Sequence, residues 1–152
     1  MCGIIGITSS KPVSSAIINS LRKLEYRGYD SAGLATLSGG IINEVKSEGR
    51  VENLEKNIAI KNMQGSVGIG HVRWATHGIP NTVNAHPHSS NNVSVVHNGI
   101  IENSTILKKF LISKGHKFKS QTDTEVIVHL ITEYLKENDL KNSIIKMLNQ
   151  LH

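Results

Sequence analysis

Apolar residues along the chain change their period several times, and each change predicts an element. Residues 2–8, with Ile4, Ile5 and Ile7, read as a buried strand. Pro12 suits the first turn of a helix, and Val13, Ala16, Ile17, Leu21 and Leu24 follow at helical spacing, giving one apolar face that ends near Tyr26. Residues 27–31 form a polar loop with a glycine. Strands over 32–37 and 41–45 are then joined by a hairpin at Gly39-Gly40. Val51, Leu54 and Ile58 mark a short amphipathic helix before a glycine-punctuated strand over 66–73. The stretch 74–92 carries Gly, Pro, Asn and His with almost no period and predicts a long loop, a length that compact domains keep for binding or leave disordered. A short strand over 93–97 breaks at Asn98-Gly99. A helix from about Asn103 has Ile106, Leu107, Phe110 and Leu111 inward and Gly115 as its stop. Thr122 and Glu125 have capping-box spacing, opening a helix with Val126, Ile127, Leu130, Ile131 and Tyr134 buried. A last helix covers 140–151.

Composition narrows the class. The 152 residues are 38% hydrophobic and 19% charged, enough for one domain with a real core. Nothing in this balance predicts disorder. The formal charge is +5, and Lys108, Lys109, Lys114, Lys117 and Lys119 crowd one stretch. That stretch reads as a solvated helix face and its exit loop, because it has no arginine to fork phosphates and its only aromatics, Phe110 and Phe118, read as facing the core rather than as a base-stacking surface. No nucleic-acid partner is expected. No apolar run approaches the ~20 residues of a membrane span, and no signal-peptide pattern opens the chain, so a cytoplasmic location without membrane attachment is expected. The single cysteine excludes an internal disulfide.

That cysteine, Cys2, stands directly behind Met1. Removal of Met1 would leave one residue carrying both a thiol and a free α-amine, a nucleophile with its own base. The competing reading is a small buried hydrophobe at the start of a strand. Asn98 and the backbone N–H of Gly99 can aim two donors at one oxyanion, although Asn-Gly is also the commonest tight-turn pair. Arg73 could fork a carboxylate and Asp123 could meet an ammonium group, or they could be a structural ion pair and a helix N-terminal acid. His77, His86, His88 and His97 lie within 21 residues, but they lack the i, i+4 spacing of zinc hydrolases and any nearby cysteine. They read as loop-ordering groups rather than metal ligands. Neither a phosphate loop nor a dinucleotide fingerprint is present, so no cofactor is expected.

Read in order, CGIIG, LEYRGYDSAGLA, HVRWATHG, NAHPH, VVHNGIIEN and TDTEV resemble the glutaminase domains of the glucosamine-6-phosphate synthase family, class II glutamine amidotransferases of the N-terminal-nucleophile hydrolase type. The resemblance spans 2–134. Amidophosphoribosyltransferases typically show HRGQDSAG and RYST at the corresponding places, and asparagine synthetases NGEIYN. The resemblance implies an α+β four-layer αββα sandwich, incomplete in this chain. It implies that Cys2 attacks the glutamine side-chain amide with its α-amine as base and that Asn98 and Gly99 form the oxyanion hole. Arg73 and Asp123 would hold the two ends of glutamine, with Thr76 and His77 lining the site and Trp74 in the loop that closes over it. It further implies that residues 1–152 are the N-terminal part of a glutaminase domain. The sugar-isomerase domains, which bind fructose-6-phosphate and form a homo-oligomer, would then lie outside the chain, leaving exposed sheet edges. The alternatives are a glutaminase serving another acceptor, such as a phosphoribosyl compound, and a glutamine-binding module without turnover.

Overall fold

The glycine-punctuated strand runs through the middle of the larger sheet. The computed structural model describes residues 2–61, 63–75 and 78–152, and their side chains apart from those of 58–61. Its elements are β1 (Gly3–Thr8), α1 (Ser14–Leu24), β2 (Ser31–Ser38), β3 (Ile41–Glu48), α2 (Val51–Lys61), β4 (Val67–Arg73), β5 (His88–Ser90), β6 (Val93–Val95), α3 (Ser104–Ser113), α4 (Glu125–Tyr134) and α5 (Leu140–Leu148). Four strands form an antiparallel sheet in the order β1-β4-β2-β3, and β5 pairs with β6 in a second, two-stranded sheet.

Each sheet carries helices on one side. Val13, Ile17, Ile18 and Leu21 of the first helical segment join Leu34, Val45, Val51, Leu54 and Val72 in one core, with α1 and α2 against the larger sheet. A Cβ at Gly70 would lie 2.5 Å from the Ile17 side chain, so the bare backbone of β4 is what lets α1 approach. Leu107, Leu111, Val126, Leu130 and Met147 form a second core, with α4 against β5 and β6 and with α3 and α5 against α4. Helix, sheet, sheet, helix is the layer order of the αββα class, built from segregated antiparallel strands and helices. No helix among the described residues is long and apolar enough to cross a membrane.

Several expectations need correction. Residues 2–8 are not a buried strand. β1 is a sheet edge covered by α1 on one face, so Ile5 and Ile7 are half-buried while Ile4 is 46% exposed. Ile18 takes the buried place expected for Ala16, which is exposed, and the helix begins at Ser14 rather than at Pro12. The long loop contains β5 and buries Asn84, Ala85, His86 and His88. Ile106 and Phe110 face solvent at 70% and 41%, because α3 packs on α4 through the Leu107–Leu111 stripe alone; Lys114 Nζ covers the Phe110 ring at 5.8 Å. The last helix stops at Leu148 rather than at 151.

The capping box is also not formed. Thr124, not Thr122, holds the N-cap position, and it makes no side-chain cap bond. The Thr122 hydroxyl meets Ser120 Oγ and His88 Nε2, each at 2.9 Å, while Glu125 reaches back to the 119–120 backbone.

Candidate functional site

Strand register assembles the site. β1 pairs with β4 from Gly3 opposite Val72 to Thr8 opposite Val67, so continuing by one residue puts Cys2 beside Arg73. On the other flank β2 pairs Ser31 with Arg73, and the Asp30 N–H donates to the Arg73 carbonyl at 3.1 Å. The end of the central strand is therefore held between the chain's start and the loop leading into β2.

Cys2 is half-buried, and its sulfur lies against the backbone just past that strand end. The Trp74 N–H donates to Sγ at 3.3 Å, and the thiol points to the Trp74 carbonyl at 3.6 Å. Two side chains hold the Cys2 carbonyl: Arg27 Nε donates at 3.1 Å and Asn98 Nδ2 at 3.2 Å. The Asn98 amide is thus already beside the residue whose thiol it would assist. Gly99 follows it on the rim, where a Cβ would meet His97 Nε2 at 2.7 Å.

Cys2, Arg73, Trp74, Asn98, Gly99 and Asp123 line one cavity of about 410 Å³. Arg73 is buried, with Nη1 and Nη2 each 3.5 Å from the Ile79 and Gly78 carbonyls. Burial draws its pKa down, and the nearby Cys2, Asp30 and Asp123 pull it back up, so the cavity holds a cation that remains charged. Asp123 spends one oxygen on the Ile101 N–H at 2.8 Å. Its other oxygen has the Thr124 hydroxyl at 3.5 Å, which leaves acceptor capacity for an ammonium group. A cation and an anion therefore share the pocket with a thiol and an amide donor, which suits a zwitterionic amino acid with a reactive group on its side chain. Thr76 and His77 lie outside the described residues, as does Met1, which bears on whether Cys2 has a free amine.

Other contributions are not legible in residue spacing. Asp30 Oδ2 accepts the Ala75 N–H at 2.8 Å and so fixes the backbone that cradles the sulfur. A Cβ on Gly28 would lie 2.6–2.7 Å from the Arg73 and Trp74 backbone, so only glycine lets that loop lie flat on the strand end. Tyr29 meets Trp74 edge-on at 5.9 Å, and Arg50 lies over the Tyr29 ring. All three loop residues fall inside the YRGYD motif, which was the one available signal.

His86 and His97 line the pocket, and His71 and His88 pack behind His86. The His71 and His86 rings stack at 4.2 Å, and the His88 ring meets His86 edge-on at 4.7 Å. His86 Nδ1 accepts the His97 N–H at 3.4 Å, and His97 Nδ1 lies 3.2 Å from the Thr124 hydroxyl. Burial lowers the pKa of all four, with His71 at about 4 and His88 at about 3. Among the described residues no group of three or more His, Cys, Asp or Glu is placed to hold a metal ion.

Comparison with known proteins addresses the same geometry. The family model described as "Glutamine amidotransferase domain" matches residues 56–143. Over 99% of the chain there is 49% identity to a glutamine--fructose-6-phosphate aminotransferase [isomerizing] of Agrobacterium fabrum and 52% to one of Clostridium acetobutylicum. In each case the chain spans 25% of the relative's length. Among solved structures, the glutamine phosphoribosylpyrophosphate amidotransferase of B. subtilis superposes with a TM-score of 0.84 at 29% identity, covering 99% of this chain and 33% of that one. A structure titled as the allosteric regulatory enzyme of purine biosynthesis gives 0.85 at 30%, with the same coverages.

Proposed function

The chain belongs to the glutamine amidotransferase domain family, and we propose that it hydrolyses the side-chain amide of glutamine through Cys2 and releases ammonia. The observation that carries this reading is the convergence of Cys2, Arg73, Asn98, Gly99 and Asp123 on one cavity from four separate stretches of sequence.

In this reading Met1 is removed and the Cys2 α-amine takes the thiol proton, directly or through water. The sulfur attacks the amide carbon, and the developing oxyanion is met by Asn98 Nδ2 and the Gly99 N–H. The protonated amine returns its proton to the departing nitrogen, the C–N bond breaks, ammonia leaves and a γ-glutamyl thioester remains. Water, deprotonated by the same amine, then cleaves the thioester to glutamate and regenerates the thiol. Arg73 pairs with the substrate α-carboxylate and Asp123 with its α-ammonium, which fixes the side-chain amide over the sulfur. Thr76 and His77 line the site in this scheme, and Trp74, 46% exposed at the rim, covers it.

The acceptor of the ammonia is read from the relatives. Identity near 50% to the fructose-6-phosphate aminotransferases, against 29% to the phosphoribosylpyrophosphate amidotransferase structure, favours fructose-6-phosphate, aminated to glucosamine-6-phosphate by sugar-isomerase domains beyond the present sequence. Residues 1–152 are then the N-terminal part of a cytoplasmic glutaminase domain whose parent assembles as a homo-oligomer through those further domains.

The decisive experiment treats the purified protein with a diazoketone analogue of glutamine and maps the product by mass spectrometry. One adduct on Cys2, with Met1 absent, is expected. Ammonia release at full rate from protein retaining Met1 would overturn the mechanism.

A further inference from the structure

Asn98, Gly99 and Ile100 form an exposed arch between β6 and α3, and it carries both proposed oxyanion donors. The two feet of the arch stand on the turn before α4. At one foot the Ile101 N–H donates to Asp123 Oδ2 at 2.8 Å, and the Ile101 side chain is buried in the second core. At the other, His97 Nδ1 lies 3.2 Å from the Thr124 hydroxyl, and the His97 N–H donates to His86 Nδ1 at 3.4 Å. Asp123 already has its place in holding the substrate, whereas the contact between His97 and Thr124 has no part in the steps described above.

The turn is a firm base for this second foot. Glu125 accepts the Lys119 and Ser120 N–H groups at 2.8 and 2.7 Å, and the Thr122 hydroxyl lies 2.9 Å from His88 Nε2. Thr124 is buried at the N-cap position of α4 yet makes no side-chain cap bond there. Its hydroxyl lies closer to His97 than to Asp123 Oδ1, which at 3.5 Å is at the outer limit of hydrogen bonding. A hydroxyl can donate or accept, so either tautomer of the imidazole closes the contact. With the ring turned this way, its other edge is set against Gly99: a Cβ there would lie 2.7 Å from His97 Nε2 and 3.1 Å from Cε1. Because the arch is exposed, core packing does not aim its donors. Its feet, the His97 ring and the Asn98 bond to the Cys2 carbonyl do so instead.

We propose that His97 and Thr124 are positioning residues for the oxyanion hole: the Thr124 hydroxyl fixes the rotation of the His97 ring, and the ring sets the Gly99 peptide so that its N–H and Asn98 Nδ2 point at one oxygen. This role deepens the glutaminase reading and rests on it. Oxyanion donors are worth most when they are aimed before the charge develops, because nothing then has to turn in the transition state. Without the strut the donors are still present but loosely aimed, and kcat loses part of the factor of about 10²–10³ that one donor supplies. Asp123 keeps its bond from the Ile101 N–H and the Arg73 contacts are untouched, so KM does not carry the effect. The Cys2 sulfur also keeps its bond from the Trp74 N–H, so its reactivity in a reaction that forms no oxyanion is preserved.

The test measures steady-state ammonia release from glutamine and, in parallel, the rate of Cys2 alkylation by iodoacetamide, a displacement at saturated carbon that forms no oxyanion. Thr124→Val is expected to lower kcat about tenfold while KM and the alkylation rate stay nearly unchanged. Thr124→Ser, which keeps the hydroxyl, should restore most of the loss. His97→Phe keeps a ring against Gly99 but lacks Nδ1, and should lower kcat to a similar extent. The double variant Thr124→Val/His97→Phe should be no slower than either single one, since both break the same contact. Should Thr124→Val not fold, His97→Phe measured against the unaltered chain carries the same expectation. Unchanged kcat in His97→Phe or in Thr124→Val, an equal loss in Thr124→Ser, a loss carried by KM or by alkylation, or additive losses in the double variant would each overturn the positioning role alone. An unaltered chain that releases no ammonia from glutamine would overturn the glutaminase reading and the positioning role with it.

Discussion

Asn98 and Asp30 are two polar side chains placed in different ways around Cys2: Asn98 donates to its carbonyl, and Asp30 fixes backbone beside its sulfur. Asn98 stands at the rim with its amide beside the Cys2 carbonyl, where it can reach an oxygen that becomes charged only in the transition state. Asn98→Ala is therefore expected to lower kcat about 10²–10³-fold while leaving KM nearly unchanged, as read from steady-state ammonia release. Asp30 touches no substrate; it holds Ala75, and through it the Trp74 backbone that contacts Sγ. Asp30→Ala should slow both turnover and Cys2 alkylation roughly tenfold. Asp30→Asn should restore most of the loss, because its carbonyl oxygen still accepts the Ala75 N–H. Equal damage in both variants would mean that the charge of Asp30 beside Arg73 matters more than the hydrogen bond. Residue types alone allowed the first role to be proposed, since an Asn-Gly pair offers its donors openly. The second needed coordinates, because Asp30 and Ala75 are 45 positions apart.

Among the elements, close approach separates glycines that a sequence lists side by side. A Cβ at Gly33 in β2 would sit 2.1 Å from the His86 carbonyl oxygen, backbone that cannot swing aside, whereas at Gly6 in β1 nothing lies within 4 Å. Gly33→Ala is expected to cost about 3 kcal/mol or more, visible as a large fall in the thermal unfolding midpoint, and Gly6→Ala to leave it unchanged or slightly raised. A mild Gly33→Ala would mean that the 86–88 segment can lift from the sheet. Among the described residues, periodicity located ten of the eleven strands and α-helices, because one face of each is covered and the chain must keep that face apolar. It missed β5, whose His88-Ser89-Ser90 has no apolar pattern and owes its place to pairing with β6. It over-assigned burial on α3, since an apolar run cannot say how wide a stripe its neighbours cover.

At the scale of the molecule, buried histidines at and behind the pocket wall are expected to make the fold acid-sensitive. Burial puts the folded-state pKa of His71 at about 4 and of His88 at about 3, and that of His86 well below its usual value. The unfolded chain, with ordinary imidazoles near 6.5, binds protons that the fold refuses. Stability from these groups is thus complete above about pH 6.5 and is lost as the pH falls through about 4 toward 3. At about 1.4 kcal/mol per unit, His71 alone accounts for roughly 3 kcal/mol across that span. Denaturant midpoints measured down this range should decline steeply, and more shallowly in a His71→Gln variant; equal slopes would show that carboxylates dominate the acid limb.

By itself the sequence determined the number and kind of most elements, the two amphipathic helical faces that seal the cores, and the short polar motifs that carry the chemistry. These follow from nearest-neighbour geometry and from side-chain composition, both of which are written locally. Tertiary structure alone decided that Cys2 lies beside the end of β4, that β1 is an edge, and that Asp30 and Glu125 brace the pocket from behind. Strand order, register and the meeting of groups a hundred residues apart are settled by packing the whole chain at once, and no local pattern encodes them.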